Sequence, residues 1–281
     1  MPGDIWAKWL DESAREHESA DRQLCLLRSQ VRDRVLHKAG LKPGSRVVDL
    51  GCGLGFLSLE AARIVGSEGQ VTAVDQSPGV LQALREEAAE RGLANLVVLE
   101  ADVAALPLDR GETDAVVARS VLSYVPDRSS ALKEAHRVLK DGGVLSFFEP
   151  VLAEEELVVN WGREASIWTK LQAILLQFHP AYSFKRGVLL DEVREAGFAE
   201  VDSFTWHADV SRPLSGEEEA MEDLRGGLPG DFSLLECWLA NGAGEEEIGR
   251  VARRLAEESS KPSYRDILPC LYVWAKKPGP E

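Results

Sequence analysis

Basic charge is what this sequence has least of. Its 281 residues carry 32 Lys and Arg against 47 Asp and Glu, a formal net charge of −15 at pH 7. Phosphate backbones are gripped by basic stripes, so no nucleic-acid partner is expected. A long apolar run is also missing. None approaches the ~18–20 residues that a membrane-spanning helix needs, and no membrane partner is expected. The opening stretch MPGDIWAKWLDESAREHESA is acidic and lacks the basic-then-apolar order of a signal peptide, which makes the cytoplasm the expected compartment. Cys25, Cys52, Cys237 and Cys270 are scattered, with no CxxC pair. Neither a metal site nor a disulfide framework is therefore expected, and Cys25 reads as a small hydrophobe rather than a reactive thiol. Tryptophan is absent from residues 36–149, although the chain has seven.

What is present has three rhythms. Up to about Lys38 the pattern is helical, with Leu24, Leu27, Val31, Val35 and Leu36 at helical spacing. Residues 39–150 alternate short apolar runs with amphipathic stretches, the signature of βαβ units. Strands are expected at Arg46–Leu50, Gln70–Asp75, Leu96–Glu100, Asp114–Arg119 and Gly143–Glu149, with helices at Leu57–Val65 and Pro78–Arg91. Lys140–Gly143 reads as a turn feeding the fifth strand. From Val151 the alternation stops. Val158–Phe178 reads as one long amphipathic helix and Val188–Ala196 as a shorter one. Glu200–Trp206 and Pro269–Ala275 read as two further strands, separated by a mostly helical excursion. Its acidic triplets, Glu217–Glu219 and Glu245–Glu247, suit helix N-termini better than a cation site.

The sharpest motif is Val47-Val48-Asp49-Leu50-Gly51-Cys52-Gly53-Leu54-Gly55, a buried strand running into a glycine-rich turn and then a helix. Glycines there allow close backbone approach to a ligand. The dinucleotide fingerprint G-x-G-x-x-G places its third glycine one position later, where this chain has Phe56. Asp49, just before the loop, would repel a pyrophosphate and attract an ammonium group. Asp75 ends the second strand, placed for ribose hydroxyls, and Asp102 follows the third, placed for an exocyclic adenine amine.

In this order and spacing the segments resemble the class I S-adenosylmethionine-dependent methyltransferases. The likeness continues through Arg119-Ser120-Val121-Leu122-Ser123-Tyr124-Val125-Pro126-Asp127 and Glu134–Gly143, which look like the small-molecule branch that includes natural-product enzymes of secondary metabolism. The resemblance implies a Rossmann-like α/β fold, with a mostly parallel seven-stranded sheet and helices on both faces. It implies S-adenosylmethionine as cofactor and S-adenosylhomocysteine as product. Gly51 and Gly53 would line the methionine part, with Asp49 near its amino group and the Arg119 backbone nearby. Asp75 would hold the ribose, Gln76 would pack beside the adenine, and Asp102 and Val103 would contact its amine and ring.

The expected organisation is a helical lid over 1–38, a cofactor-binding core over 39–150, and cap insertions with the final strands over 151–281. In open α/β sheets the ligand crevice lies beyond the carboxyl ends of the strands, so the acceptor is expected under these cap segments. Trp6, Trp9, Trp161, Trp168, His179 and Trp206 are its candidate walls, while Trp238 and Trp274 read as packing. Methyl transfer to an activated donor asks mainly for alignment in a dry site. Where the acceptor must lose a proton, His207 is the candidate base, with Tyr124, Tyr182 or Glu149 assisting. The expected acceptor is a small aromatic metabolite, an indole ring carbon being one such target. The alternatives are O- or N-methylation of a phenol, quinone or polyketide, and binding of the cofactor without catalysis. A nicotinamide oxidoreductase is disfavoured by Phe56 and Asp49. The expected assembly is a monomer or homodimer.

Overall fold

The computed structural model describes residues 22–225 and 233–279. In chain order its elements are α1 (Arg22–Lys38), β1 (Arg46–Leu50), α2 (Ser58–Val65), β2 (Gln70–Asp75), α3 (Pro78–Glu90), β3 (Leu96–Glu100) and β4 (Thr113–Arg119). There follow α4 (Arg128–Val138), β5 (Leu139–Pro150), β6 (Glu156–Val158), α5 (Ala165–Phe178), α6 (Arg186–Glu195) and β7 (Ala199–Asp209). The chain closes with α7 (Glu217–Arg225), α8 (Leu234–Ala240), α9 (Glu245–Ser259) and β8 (Arg265–Lys276). Two compact units result. The first holds the described residues up to Glu149, with 187–204 and those from Leu271 on; the second holds those of 150–186 and 205–270.

The first unit is built on parallel pairing in the order β3-β2-β1-β4-β5. Val71, Ala73, Val74, Val116 and Val117 are fully buried, as strands covered on both faces require. Helix starts follow local chemistry. Ser77 caps α3 by accepting from Val80 N, with Pro78 at the first helical position, and Asp127 caps α4 by accepting from Ser130 N. Val31, Val35 and Leu36 of α1 are buried, and Val35 O accepts the Ser146 hydroxyl at 2.9 Å. The chain order reverses between β1 and β4, which is where open α/β sheets place their ligand crevice.

Three expectations need correction. Among the described residues the sheet has eight strands, one more than the seven expected, because Glu156–Val158 pairs antiparallel with Arg265–Ile267. That pairing also removes the start of the long helix expected from Val158. The segment becomes a strand end and a 3-10 turn at Gly162–Glu164, and α5 begins only at Ala165. The fifth strand starts pairing at Leu139, before the expected turn. Its register shifts between Thr113↔Leu139 and Ala115↔Val144, so Lys140–Gly143 is an irregularity within the strand.

The second unit has its own core around Trp238, which is 0% exposed and donates its Nε1–H to Leu171 O at 2.9 Å. Ile248, Val251, Ala252 and Leu255 of α9 pack there at helical spacing, with Leu171 and Leu175 of α5. The acidic triplets sit in the first turns of α7 and α9. No helix among the described residues is long and apolar enough to cross a membrane.

Candidate cofactor site at the strand ends

β1 delivers the chain into a turn that only glycine tolerates well. Gly51, Gly53 and Gly55 have φ of +59°, +52° and +84°, the left-handed region that penalises a Cβ. The outer two have separate packing reasons. A Cβ on Gly51 would lie 2.6 Å from a Val121 methyl, so the loops after β1 and β4 touch there. One on Gly55 would lie 2.3 Å from Leu84 Cδ1 of α3. Gly53 instead presents its N–H to Asp75 Oδ2 at 3.0 Å, while Asp75 Oδ1 accepts from Ser77 N at 3.1 Å. A carboxylate has about four lone-pair sites. Asp75 can therefore hold the loop and still accept further hydroxyl donors.

Asp49 lies beneath this turn, 1% exposed, with Oδ2 accepting the Ser58 hydroxyl. Burial pushes its carboxyl up to about 7. The Asp75 charge adds to the rise, while the Ser58 bond and Arg119 oppose it. Asp49, expected near the amino group of a ligand, is a buried carboxyl held under the loop. Beyond β3, Asp102 is exposed and its Oδ1 accepts from Ala104 N at 2.8 Å, while Val103 is buried at 8% exposure. Gln76 is exposed beside the capping Ser77.

The β4 exit is braced from below. Glu149 is 0% exposed and accepts from Val121 N at 2.7 Å, Leu122 N at 2.8 Å and the Ser123 hydroxyl at 2.9 Å. Ser120, at φ +54°, makes the bend that brings those donors together. The Arg119 guanidinium lies 4.8 Å from the centroid of the Phe56 ring. The Tyr124 hydroxyl is pushed up to about 12 by burial and by the Glu149 charge, so it stays protonated at neutral pH. Sequence reasoning missed the parts played by Ser58, Val121 and Ser120. Ser58, at the start of the helix after the loop, was the one with a visible signal.

The remaining expected residues are in other company. Trp161 and Trp168 stack on each other with centroids 4.7 Å apart, against the second unit's own core. His179 is 2% exposed, its Nδ1 accepts from Ala181 N at 3.2 Å, and its ring meets Tyr182 edge-on at 5.4 Å. Trp206 is half-buried and His207 exposed on β7, in the part belonging to the second unit. Trp6 and Trp9 lie outside the described residues. The structure thus brings Tyr124 and Glu149 to one loop, and His179 and Tyr182 to one turn.

The donor set suits a nucleoside bearing an amino-acid tail. Acceptors stand at the ends of β2 and β3, and a close-packed glycine turn at the end of β1 opens beside the cationic end of β4. Comparison with known proteins decides the matter, since a methyltransferase-domain model matches residues 41–187, half of the chain. This chain belongs to the S-adenosylmethionine-dependent methyltransferase family. It is 35% identical over 191 residues to the ubiquinone/menaquinone biosynthesis C-methyltransferase UbiE of Marinomonas, covering 68% of each chain. It is 38% identical over 110 residues to the aklanonic acid methyltransferase DauC of Streptomyces, covering 38% of this chain and 49% of the relative. The chain spans about half the length of several curated relatives it matches, 56% and 48% for two of them. Its fold is similar to that of a Haemonchus contortus phosphoethanolamine N-methyltransferase crystallised with S-adenosylhomocysteine. The TM-score is 0.54 at 17% identity, covering 88% of this chain and 52% of that one.

Proposed function

We propose that this chain binds S-adenosylmethionine across the ends of β1, β2 and β3 and catalyses transfer of its methyl group to a small aromatic acceptor. The carrying observation is Asp75, which joins the glycine loop to the start of α3 and keeps lone pairs for the ribose hydroxyls. Gly51 and Gly53 would line the methionine part, Asp102 would accept from the adenine amine, and Val103 and Gln76 would flank the ring. The bound donor supplies an activated methyl group, so the protein's part is alignment and exclusion of water.

The acceptor class we favour is an oxygenated aromatic, quinone-like or polyketide-like, in keeping with the names of the two curated relatives. An indole ring carbon belongs to the same broad class of flat apolar nucleophiles. A base is needed only where the acceptor must lose a proton. His207 is the proposed base, its exposed imidazole being able to accept a proton. Tyr124, protonated at neutral pH, serves as a hydrogen-bond donor rather than a base. The test is a mass-spectrometric product screen over phenols, quinones, polyketides and indoles with S-adenosylmethionine as donor. A product heavier by one methylene, formed in step with S-adenosylhomocysteine, is the expected result. Tight cofactor binding without methylated product across that panel overturns the acceptor class, and absence of binding overturns the proposal.

A further inference from the structure

The loop between β3 and β4 has no helix or strand of its own, yet it carries Asp102 and Val103, the residues proposed for the adenine amine and ring. It leaves the sheet through Ala101 N, which donates to Asp75 O at 3.0 Å. The chain then turns. Asp102 accepts from Ala104 N through Oδ1 at 2.8 Å and from Ala105 N through its backbone oxygen at 3.0 Å. These bonds set the shape of the turn but not its direction, because they close it only on itself. Its direction is set from α4.

Glu134 and Arg137 stand about one turn apart on α4 and so share a face. Glu134 Oε1 accepts from Arg137 Nε at 2.7 Å, and Oε2 from Nη2 at 2.8 Å. Oε2 also accepts from Leu106 N at 2.8 Å. The guanidinium in turn donates to Leu106 O at 2.9 Å through Nη2 and to Leu108 O at 2.8 Å through Nη1. One ion pair thus holds both backbone groups of Leu106, whose side chain is buried. The planar fork of an arginine can span two carbonyls in this way, which a lysine ammonium does less well. Farther along, Gly111 N donates to Arg137 O at 3.1 Å and Glu112 N to Val138 O at 3.0 Å. The Glu134 and Arg137 side chains are 19% and 26% exposed, so these charge-assisted bonds differ from those of a fully solvated surface pair. Resting on the S-adenosylmethionine reading above, we infer that Glu134 and Arg137 are positioning residues for the adenine, holding the loop so that the Asp102 carboxylate meets the exocyclic amine.

The test compares two ligands by isothermal titration. S-Inosylhomocysteine has an oxo group in place of the adenine amine of S-adenosylhomocysteine and keeps the ribose, the sulfur and the amino-acid tail. The unmodified protein should prefer the adenine ligand about ten- to a hundred-fold, the worth of a hydrogen bond to a charged group. Asp102→Ala should abolish that preference. Arg137→Ala should remove most of it by weakening the adenine ligand alone, and Arg137→Lys should restore part. Adding Arg137→Ala to Asp102→Ala should weaken S-adenosylhomocysteine no further, as expected of two residues acting through one contact. Should Arg137→Ala fail to fold, Glu134→Gln carries the same comparison, since it breaks the ion pair and keeps an oxygen for Leu106 N. Equal weakening of both ligands, weakening of neither, or additive losses in the double variant overturns the inference and leaves the cofactor reading intact. So does equal affinity of the unmodified protein for the two ligands. Failure of the unmodified protein to bind S-adenosylhomocysteine overturns that reading itself.

Discussion

Each unit shields carboxyl groups from water, and one set in each is satisfied in a contrasting way. In the first, Glu149 takes three donors from one loop, and Asp75 takes two backbone N–H groups. In the second, Glu155 and Asp266 bond to each other, with the Tyr182 hydroxyl on Glu155. Asp266 Oδ1 is buried with no N–H donor, and two carboxylates can bond only by sharing a proton. Burial first, and then the Asp266 charge, pushes Glu155 up to about 8. Donor-rich carboxylates are fixed points on which a ligand site can be built. A carboxyl pair sharing a proton makes a packed interior sensitive to pH. The residues proposed for the cofactor lie in the first unit, and the carboxyl pair lies in the second.

Three perturbations would break or sharpen that comparison by stability, in decreasing order of effect. Trp238→Ala removes the centre of the second unit's core and the bond to Leu171 O. A loss of about 3–5 kcal/mol is expected, read by urea denaturation. Every residue assigned to the cofactor belongs to the first unit, so S-adenosylhomocysteine affinity measured below the transition should hold. A parallel loss of affinity would undo the separation.

Next comes the pH dependence of the second unit. A carboxyl raised in the folded state keeps its proton longer than it does in the unfolded chain. Its contribution is therefore full below the ordinary value of 4.5 and is lost as pH rises toward about 8. The urea midpoint should fall across that window by on the order of a few kcal/mol in stability. Asp266→Asn gives Glu155 an N–H donor in place of a shared proton and should flatten the slope. An unchanged slope in that variant would remove the pair as its source.

The third is Gly51→Ala. The φ of +59° alone costs about 1–2 kcal/mol, and the new methyl would crowd Val121 at 2.6 Å. Lower thermal stability and weaker S-adenosylhomocysteine binding should appear together. Adding Val121→Ala should recover the packing part of the loss and leave the backbone part.

How much of this was legible depends on sequence separation. β1, β2 and β3 fall at the residues expected from their apolar runs; in β1 and β2 burial on both faces writes itself into consecutive positions, while β3 is an edge strand with Val97 exposed. The loop glycines and Asp75 were legible for the same local reason, lying on one βαβ path. Glu156–Val158 was not, because it becomes a strand only by pairing with Arg265–Ile267, more than a hundred residues on. Glu155 and Asp266 escaped notice likewise, since neither has a local pattern. Trp161 and Trp168 were visible as aromatic residues, but their stacking partner was not. Glu149 was read as a chemical group because a strand-end carboxylate in isolation is ambiguous between acid–base work and a brace.

That ambiguity yields the smallest effect expected and the most discriminating one. Glu149→Gln keeps one oxygen for Val121 N and Leu122 N, which both donate to Oε1, and turns an amide N–H toward the Ser123 hydroxyl in place of Oε2. That hydroxyl can rotate to accept, so the three contacts survive and stability should fall by about 1 kcal/mol or less. Glu149→Ala leaves two buried backbone N–H groups without a partner and should cost about 1–3 kcal/mol for each. A brace therefore predicts near-normal S-adenosylhomocysteine affinity and turnover in Glu149→Gln and loss of both in Glu149→Ala. A proton-transferring Glu149 predicts instead that the Gln variant binds normally and turns over no better than the Ala variant. Burial holds the Glu149 carboxyl above its ordinary range, and its oxygens face bracing donors rather than solvent, which is why the first outcome is expected.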